Sequence, residues 1–180
     1  MSEPSAFRQE QRRVALAMAC ALTVTILVLG AVMAMDQPAS VMPIGDRLEF
    51  ALRADLFIAI WLAAAIANVA RLRFFSERDI AGSSVAAGSE TIRMAGAILQ
   101  NTVEQAVLAL LAHLIVAATL PGSNALIVAL VGLFGLGRLL FWAGYRHGAS
   151  GRAFGFALTF YPSVLALLAS AVAIAFGWAA

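Results

Sequence analysis

Lysine is missing: all twelve basic side chains of this 180-residue chain are arginine. That removes any Schiff-base amine and any P-loop lysine for a nucleotide phosphate. Cysteine is limited to Cys20, inside an apolar run, so no disulfide can form within the chain and the thiol reads as core or lipid-facing filler. Charge is scarce as well, at 12% of residues, where a soluble domain carries about 25%. What the chain has in abundance is apolar surface, 62% hydrophobic residues laid out in long uncharged runs. That combination defines an all-α integral membrane protein. No metal site and no nucleic-acid partner are expected.

Five apolar segments follow one another: Val14–Met35, Leu56–Ala70, Met94–Leu120, Asn124–Tyr145 and Ala153–Trp178. The first has no charge and is long enough to cross a hydrocarbon core of about 30 Å. Its basic start and the small residues near Ala34 also fit a signal peptide, but such leaders have apolar cores of about 7–15 residues, so a retained anchor is expected. Residues 1–13 form a basic tail, and residues 36–54 form a polar loop containing the amphipathic stretch "DRLEFALRAD". Asp55 and Arg71 flank the short second segment and are expected to reach toward the interface. Arginine is concentrated in alternate connections: Arg8, Arg12 and Arg13; then Arg71, Arg73, Arg78 and Arg93; then Arg146 and Arg152. The positive-inside rule then puts the N-terminus in the cytoplasm and the C-terminus outside.

Several polar groups fall within these spans. At 100° per residue, Arg93, Ala97, Gln100, Asn101 and Glu104 share one face of the third span, with His113 nearly opposite. On the next span Arg138, Phe141 and Tyr145 form a stripe that Arg152 would extend. Measured from the inner ends, Asn101 lies about 13 Å deep, Glu104 about 18 Å and Arg138 about 15 Å, so these groups are expected to meet. A charge left alone at the bilayer centre costs about 2.5–3.5 kcal/mol, so each needs a partner or a polar cavity. One outcome is a Glu104–Arg138 ion pair with Asn101 as interhelical glue. The other is a polar pocket opening to the inner face, rimmed by Arg71, Arg73, Arg93 and Arg152. For His113 an interhelical hydrogen bond is the expected role, and Gln105 is possible glue. Gly132, Gly135 and Gly137 in "GLFGLGR" read as a close-packing face. Trp142, Tyr145 and Trp178 lie near span ends as interfacial anchors.

"LQNTVEQ" on one span and "GRLLFWAGYRHGASGR" closing the next resemble the MAPEG superfamily, the membrane-associated proteins of eicosanoid and glutathione metabolism. The family pattern is Asn-x-x-Glu, then Arg-x-x-Tyr-x-x-Gly-Tyr, then an arginine seven residues further on. Here those positions are Asn101, Glu104, Arg138, Phe141, Gly144, Tyr145 and Arg152. The resemblance implies that residues 55–180 form a four-helix bundle, with residues 14–35 as an extra N-terminal transmembrane helix. It further implies a homotrimer that binds glutathione as co-substrate between subunits. Asn101, Glu104, Arg138 and Tyr145, with Arg71, Arg73 or Arg93, would bind the tripeptide, and Arg152 would be the catalytic residue that stabilises its thiolate. The matching activity is transfer of glutathione to a lipophilic electrophile or reduction of a lipid hydroperoxide, with the lipophilic partner arriving from the membrane lipids. This chain departs from the pattern where the family commonly has an arginine, at Ala97, and at Phe141 in place of tyrosine. Two rival readings use the same residues: a non-catalytic lipid-binding bundle, and a small transporter or proton relay built on Glu104 and Arg138.

Overall fold

A computed structural model of the chain describes residues 4–35, 42–80 and 88–178. Part of the basic tail (residues 1–3), part of the polar loop (36–41) and the Gly/Ser-rich run 81–87 lie outside the described residues. Among the described residues every regular element is helical: α1 Pro4–Met35, α2 Ile44–Ala54, α3 Leu56–Phe74, α4 Glu90–Thr119, α5 Asn124–Gly144 and α6 Gly148–Ala175. Four stretches are long and apolar enough to cross a membrane, and the last of them, Asn124–Ala175, contains both α5 and α6. The "DRLEFALRAD" stretch is helical, and α2 runs through Asp55 almost directly into α3.

The break between α5 and α6 is local chemistry. One 3₁₀ turn, Tyr145–His147, is followed by Gly148 at φ +79°, a conformation that only glycine adopts freely. The chain then folds back as a close antiparallel hairpin. A Cβ at Gly144 would lie 2.0 Å from the Gly151 carbonyl oxygen, and one at Gly155 2.3 Å from the Phe141 nitrogen. Gly137 meets Thr159 and the Gly155 carbonyl, whereas Gly132 has open space in front of it and Gly135 makes an ordinary contact with Trp61. Of the three glycines in "GLFGLGR", Gly137 is the one that close packing demands.

Polar side chains turn inward and apolar ones outward. Thr25, Thr102, His113, Arg138, Thr159, Ser163 and Ser170 are buried, while Leu27, Phe57, Val128 and Leu168 are exposed. Lipid is the reason: outside the bundle there is nothing for a hydroxyl to bond, and apolar surface there costs nothing. Thr25 and Thr102 complete the logic by donating back to the carbonyls of Ala21 and Ile98 at 2.8 and 2.7 Å.

α4 begins at a built cap. Ser89 accepts from the Ile92 N–H, and Asp79 in turn accepts from the Ser89 N–H at 2.9 Å and from the hydroxyls of Ser76 and Ser89 at 2.7 and 2.8 Å. These donors, the Ser89 backbone N–H foremost, hold the Asp79 carboxyl below its ordinary range.

The helix ends sort by charge. Glu10 near the start of α1 bonds Ser150 at the start of α6, and a groove joins Arg71 at the end of α3, Thr91 at the start of α4 and Arg146 just after α5. One end of the bundle therefore carries all the arginines of the tail and of the two basic connections.

Two measurements check these contacts. Gly137→Ala is expected to lower stability by about 1–3 kcal/mol because the new methyl overpacks the hairpin. Gly132→Ala, facing open space, is expected to be neutral or up to about 1 kcal/mol stabilising through helix propensity, both read by thermal unfolding in detergent. For Asp79 the folded carboxyl titrates low, so its contribution is present at neutral pH and is lost as pH falls below the ordinary carboxylate range near about 4. Hydrogen exchange is expected to show the first turn of α4 losing protection over that window, and fraying at all pH values in Asp79→Ala.

Candidate functional site

Arg138 is the largest fully buried side chain, 2% exposed at mid-depth on α5. A guanidinium stays charged even there, so the surroundings must supply acceptors. One terminal nitrogen donates to Asn101 Oδ1 of α4 at 2.9 Å, and the other donates to Thr159 Oγ1 of α6 at 2.6 Å. The ring of Phe141 lies 4.6 Å from the guanidinium carbon, in cation–π range. Thr159 donates its own proton to the Phe156 carbonyl at 2.8 Å, leaving a lone pair for Arg138. Three helices meet at this one cation.

Glu104 is placed differently from expectation. It is exposed and accepts from Gln100 Nε2 at 3.0 Å, one turn back on α4. The expected Glu104–Arg138 meeting does not occur: a neutral amide and a neutral hydroxyl take the two terminal nitrogens of Arg138 while its Nε is left without a partner, and bringing in a carboxylate would add its desolvation cost. Gln105 is buried in the bundle.

The cavity beside this node is about 320 Å³ and holds Ala97 and Asn101 of α4, Phe141 of α5, Tyr145, and Arg152 and Phe156 of α6. Tyr145 packs edge-on to Phe141, ring centroids 5.4 Å apart, and its ring lies 4.5 Å from the Arg152 guanidinium carbon. The stripe of the sequence is thus continued across the hairpin turn rather than along one helix. Asn101, Tyr145 and Arg152 come together as expected; Arg138 stands behind Asn101 and is not part of the cavity lining. Arg71, Arg73 and Arg93 do not enter this cavity. Arg71 bonds Asn68 at 3.2 Å and lines a separate groove with Arg146, Arg73 is half-buried, and Arg93 is exposed.

At the other end of the bundle His113 Nδ1 lies 2.6 Å from Asp55 Oδ1, both side chains buried. His113 therefore makes the interhelical bond expected of it. Asp55 does not reach for the interface: a buried imidazole offers it a better partner. Sequence reasoning missed Thr159, whose only signal was a hydroxyl at the depth of Arg138. It also missed Val14 and Met18 of α1, which line the cavity and look like any apolar helix residues.

The model of the MAPEG family matches residues 14–173. The chain belongs to the MAPEG family. It is an integral membrane protein of a family concerned with eicosanoid and glutathione metabolism. The match starts at Val14 and so takes in the membrane part of α1 as well as the bundle from Asp55 onward. No curated protein and no solved structure matches the chain. MAPEG membership fits the ordered pair of motifs, with Asn101 joined to Arg138 and Tyr145 joined to Arg152 by direct contact.

Thr159→Val tests the Arg138 node. It leaves one guanidinium nitrogen without an acceptor and is expected to cost about 1–3 kcal/mol, with Thr159→Ser recovering most of it, in unfolding of the purified protein.

Proposed function

We propose that this MAPEG protein binds glutathione in the Asn101–Tyr145–Arg152 cavity and transfers it to lipophilic electrophiles. The observation that carries the reading is Arg152, a half-buried guanidinium held over the Tyr145 ring at the cavity wall. A cation there lowers the free energy of the thiolate relative to the thiol, and the thiolate is the nucleophile. Sulfur then bonds to the electrophilic carbon as its leaving group departs with the bonding pair, or as a conjugated double bond takes up a proton from water. Arg152 is the catalytic residue. Asn101, its Oδ1 engaged by Arg138, has its NH₂ group left to donate to a peptide carbonyl or carboxylate. Arg138 acts as the positioning residue behind it, and Tyr145 is a wall. Reduction of a lipid hydroperoxide would use the same thiolate.

The remaining charged groups fit a homotrimer. Glu104 and Gln100 are exposed on α4 at membrane depth, where lipid cannot solvate a carboxylate, so a neighbouring chain covers that face. Arg71, Arg73 and Arg93, outside the cavity of their own chain, would serve a ligand held between chains, completing the two cations and one anion that glutathione's charges require. The arginine-bearing end faces the cytoplasm, where the positive-inside rule puts it and where glutathione is supplied.

The non-catalytic lipid-binding reading keeps one observation in its favour. Ala97 and Phe141 line the cavity where the family pattern has an arginine and a tyrosine, so two polar contacts are missing.

Glutathione titrated into the purified protein near neutral pH is expected to give a saturable thiolate absorbance, abolished in Arg152→Ala. Turnover of an aryl halide should fall by about 100-fold or more in the same variant. No saturable signal in the unaltered protein would reject the transferase and favour the lipid-binding bundle.

A further inference from the structure

α1 packs along α6, burying Ala21 and Leu29 in a core shared with Ala157, Leu158 and Ala166. Near its start, Glu10 Oε1 accepts the backbone N–H of Ser150 at 2.9 Å. Ser150 lies in the first turn of α6, whose N-cap residue His147 provides no side-chain cap. Glu10 supplies the absent acceptor, and its negative charge suits the positive end of that helix. Val14 and Met18 follow Glu10 at successive steps of four residues and therefore lie on the same face of α1. Both line the cavity that contains Asn101, Tyr145 and Arg152.

The cavity lining is consequently of two kinds. Asn101, Tyr145 and Arg152 supply its polar groups, and Val14 and Met18 of α1 add apolar side chains to Phe141 of α5 and Phe156 of α6. A thioether conjugate has the same division, a charged peptide on one side of sulfur and a hydrocarbon on the other. Methionine, unbranched and flexible, adapts to hydrocarbon groups of differing shape.

We propose that α1 forms the electrophile-side wall of the thiol cavity, with Val14 and Met18 setting the length and bulk of the hydrocarbon accepted, and with Glu10 as the positioning residue that holds them there. This assignment rests on the glutathione reading above. The additional helix is therefore part of the binding site rather than an anchor beside it.

The test is binding of glutathione, S-hexylglutathione and S-decylglutathione to the full chain in lipid nanodiscs, by titration calorimetry, which needs no turnover. In the unaltered protein affinity is expected to rise with alkyl length. Met18→Trp fills the apolar side: S-decylglutathione should weaken about tenfold more than glutathione does, as burial of one or two fewer methylenes requires. Met18→Ala, which removes bulk, should shift the preference toward the longer chain. Glu10→Ala should flatten the dependence on chain length by more than it changes glutathione affinity. Glu10→Gln, whose amide oxygen still accepts from Ser150, should restore it. If glutathione binds and every variant keeps the original dependence on chain length, α1 is not the wall, and the thiol site stands without it. If the unaltered protein binds no glutathione, the thiol reading fails and this assignment with it.

Discussion

A guanidinium inside hydrocarbon cannot shed its charge, and Arg138 makes the rest of the bundle answer to that fact. Its two terminal nitrogens reach α4 and α6 through Asn101 and Thr159, so the rotation of both helices about α5 is set by where those acceptors must stand. The neighbouring Gly137 is what lets α6 come near enough, since a methyl there would collide with Thr159. The charge and the glycine beside it are parts of one arrangement: the first requires close approach and the second permits it.

The candidate site follows from the same hairpin. Because α5 and α6 turn back on each other at Gly148, Tyr145 and Arg152 are brought face to face across the turn, and Asn101, oriented by Arg138, comes in from α4. The polar wall is thereby assembled from three elements with no carboxylate among its lining residues. Glu104 is left to the outside surface, bonded to Gln100 one turn back on its own helix. Neutral acceptors hold the cation inside, and this anion stays on the outer face of α4.

Much of this was legible from the residues alone, for specific reasons. The spans were readable because lipid demands long uncharged runs, and the Arg138–Asn101 contact because depth along two helices of known rise can be compared. His113 was readable as a structural hydrogen bond because it lies off the polar face, but its partner was not, since Asp55 sits beside a helix junction that composition presents as an exposed loop. Glu104 misled because helical phase alone cannot tell which of two neighbouring polar groups on one face takes the interior. The part played by Val14 and Met18 had no signature at all: an apolar residue against a cavity and one against lipid have the same composition.

The fastenings of α4 have a geometric consequence. They occur at Ser89, Asn101 and His113, two equal intervals along the chain: the first joins the turn after α3 through Asp79, the second α5 through Arg138, the third the α2–α3 junction through Asp55. An interval of twelve helical residues advances the helix by three whole turns and about 120°. The Asn101 and His113 attachments therefore leave the axis about 120° apart, at the middle and the upper part of the rod, while Ser89, at the extended N-cap position, ties down its foot. A helix keyed in this way can neither roll nor slide without breaking at least one attachment, so it is the fixed member against which the other helices are placed.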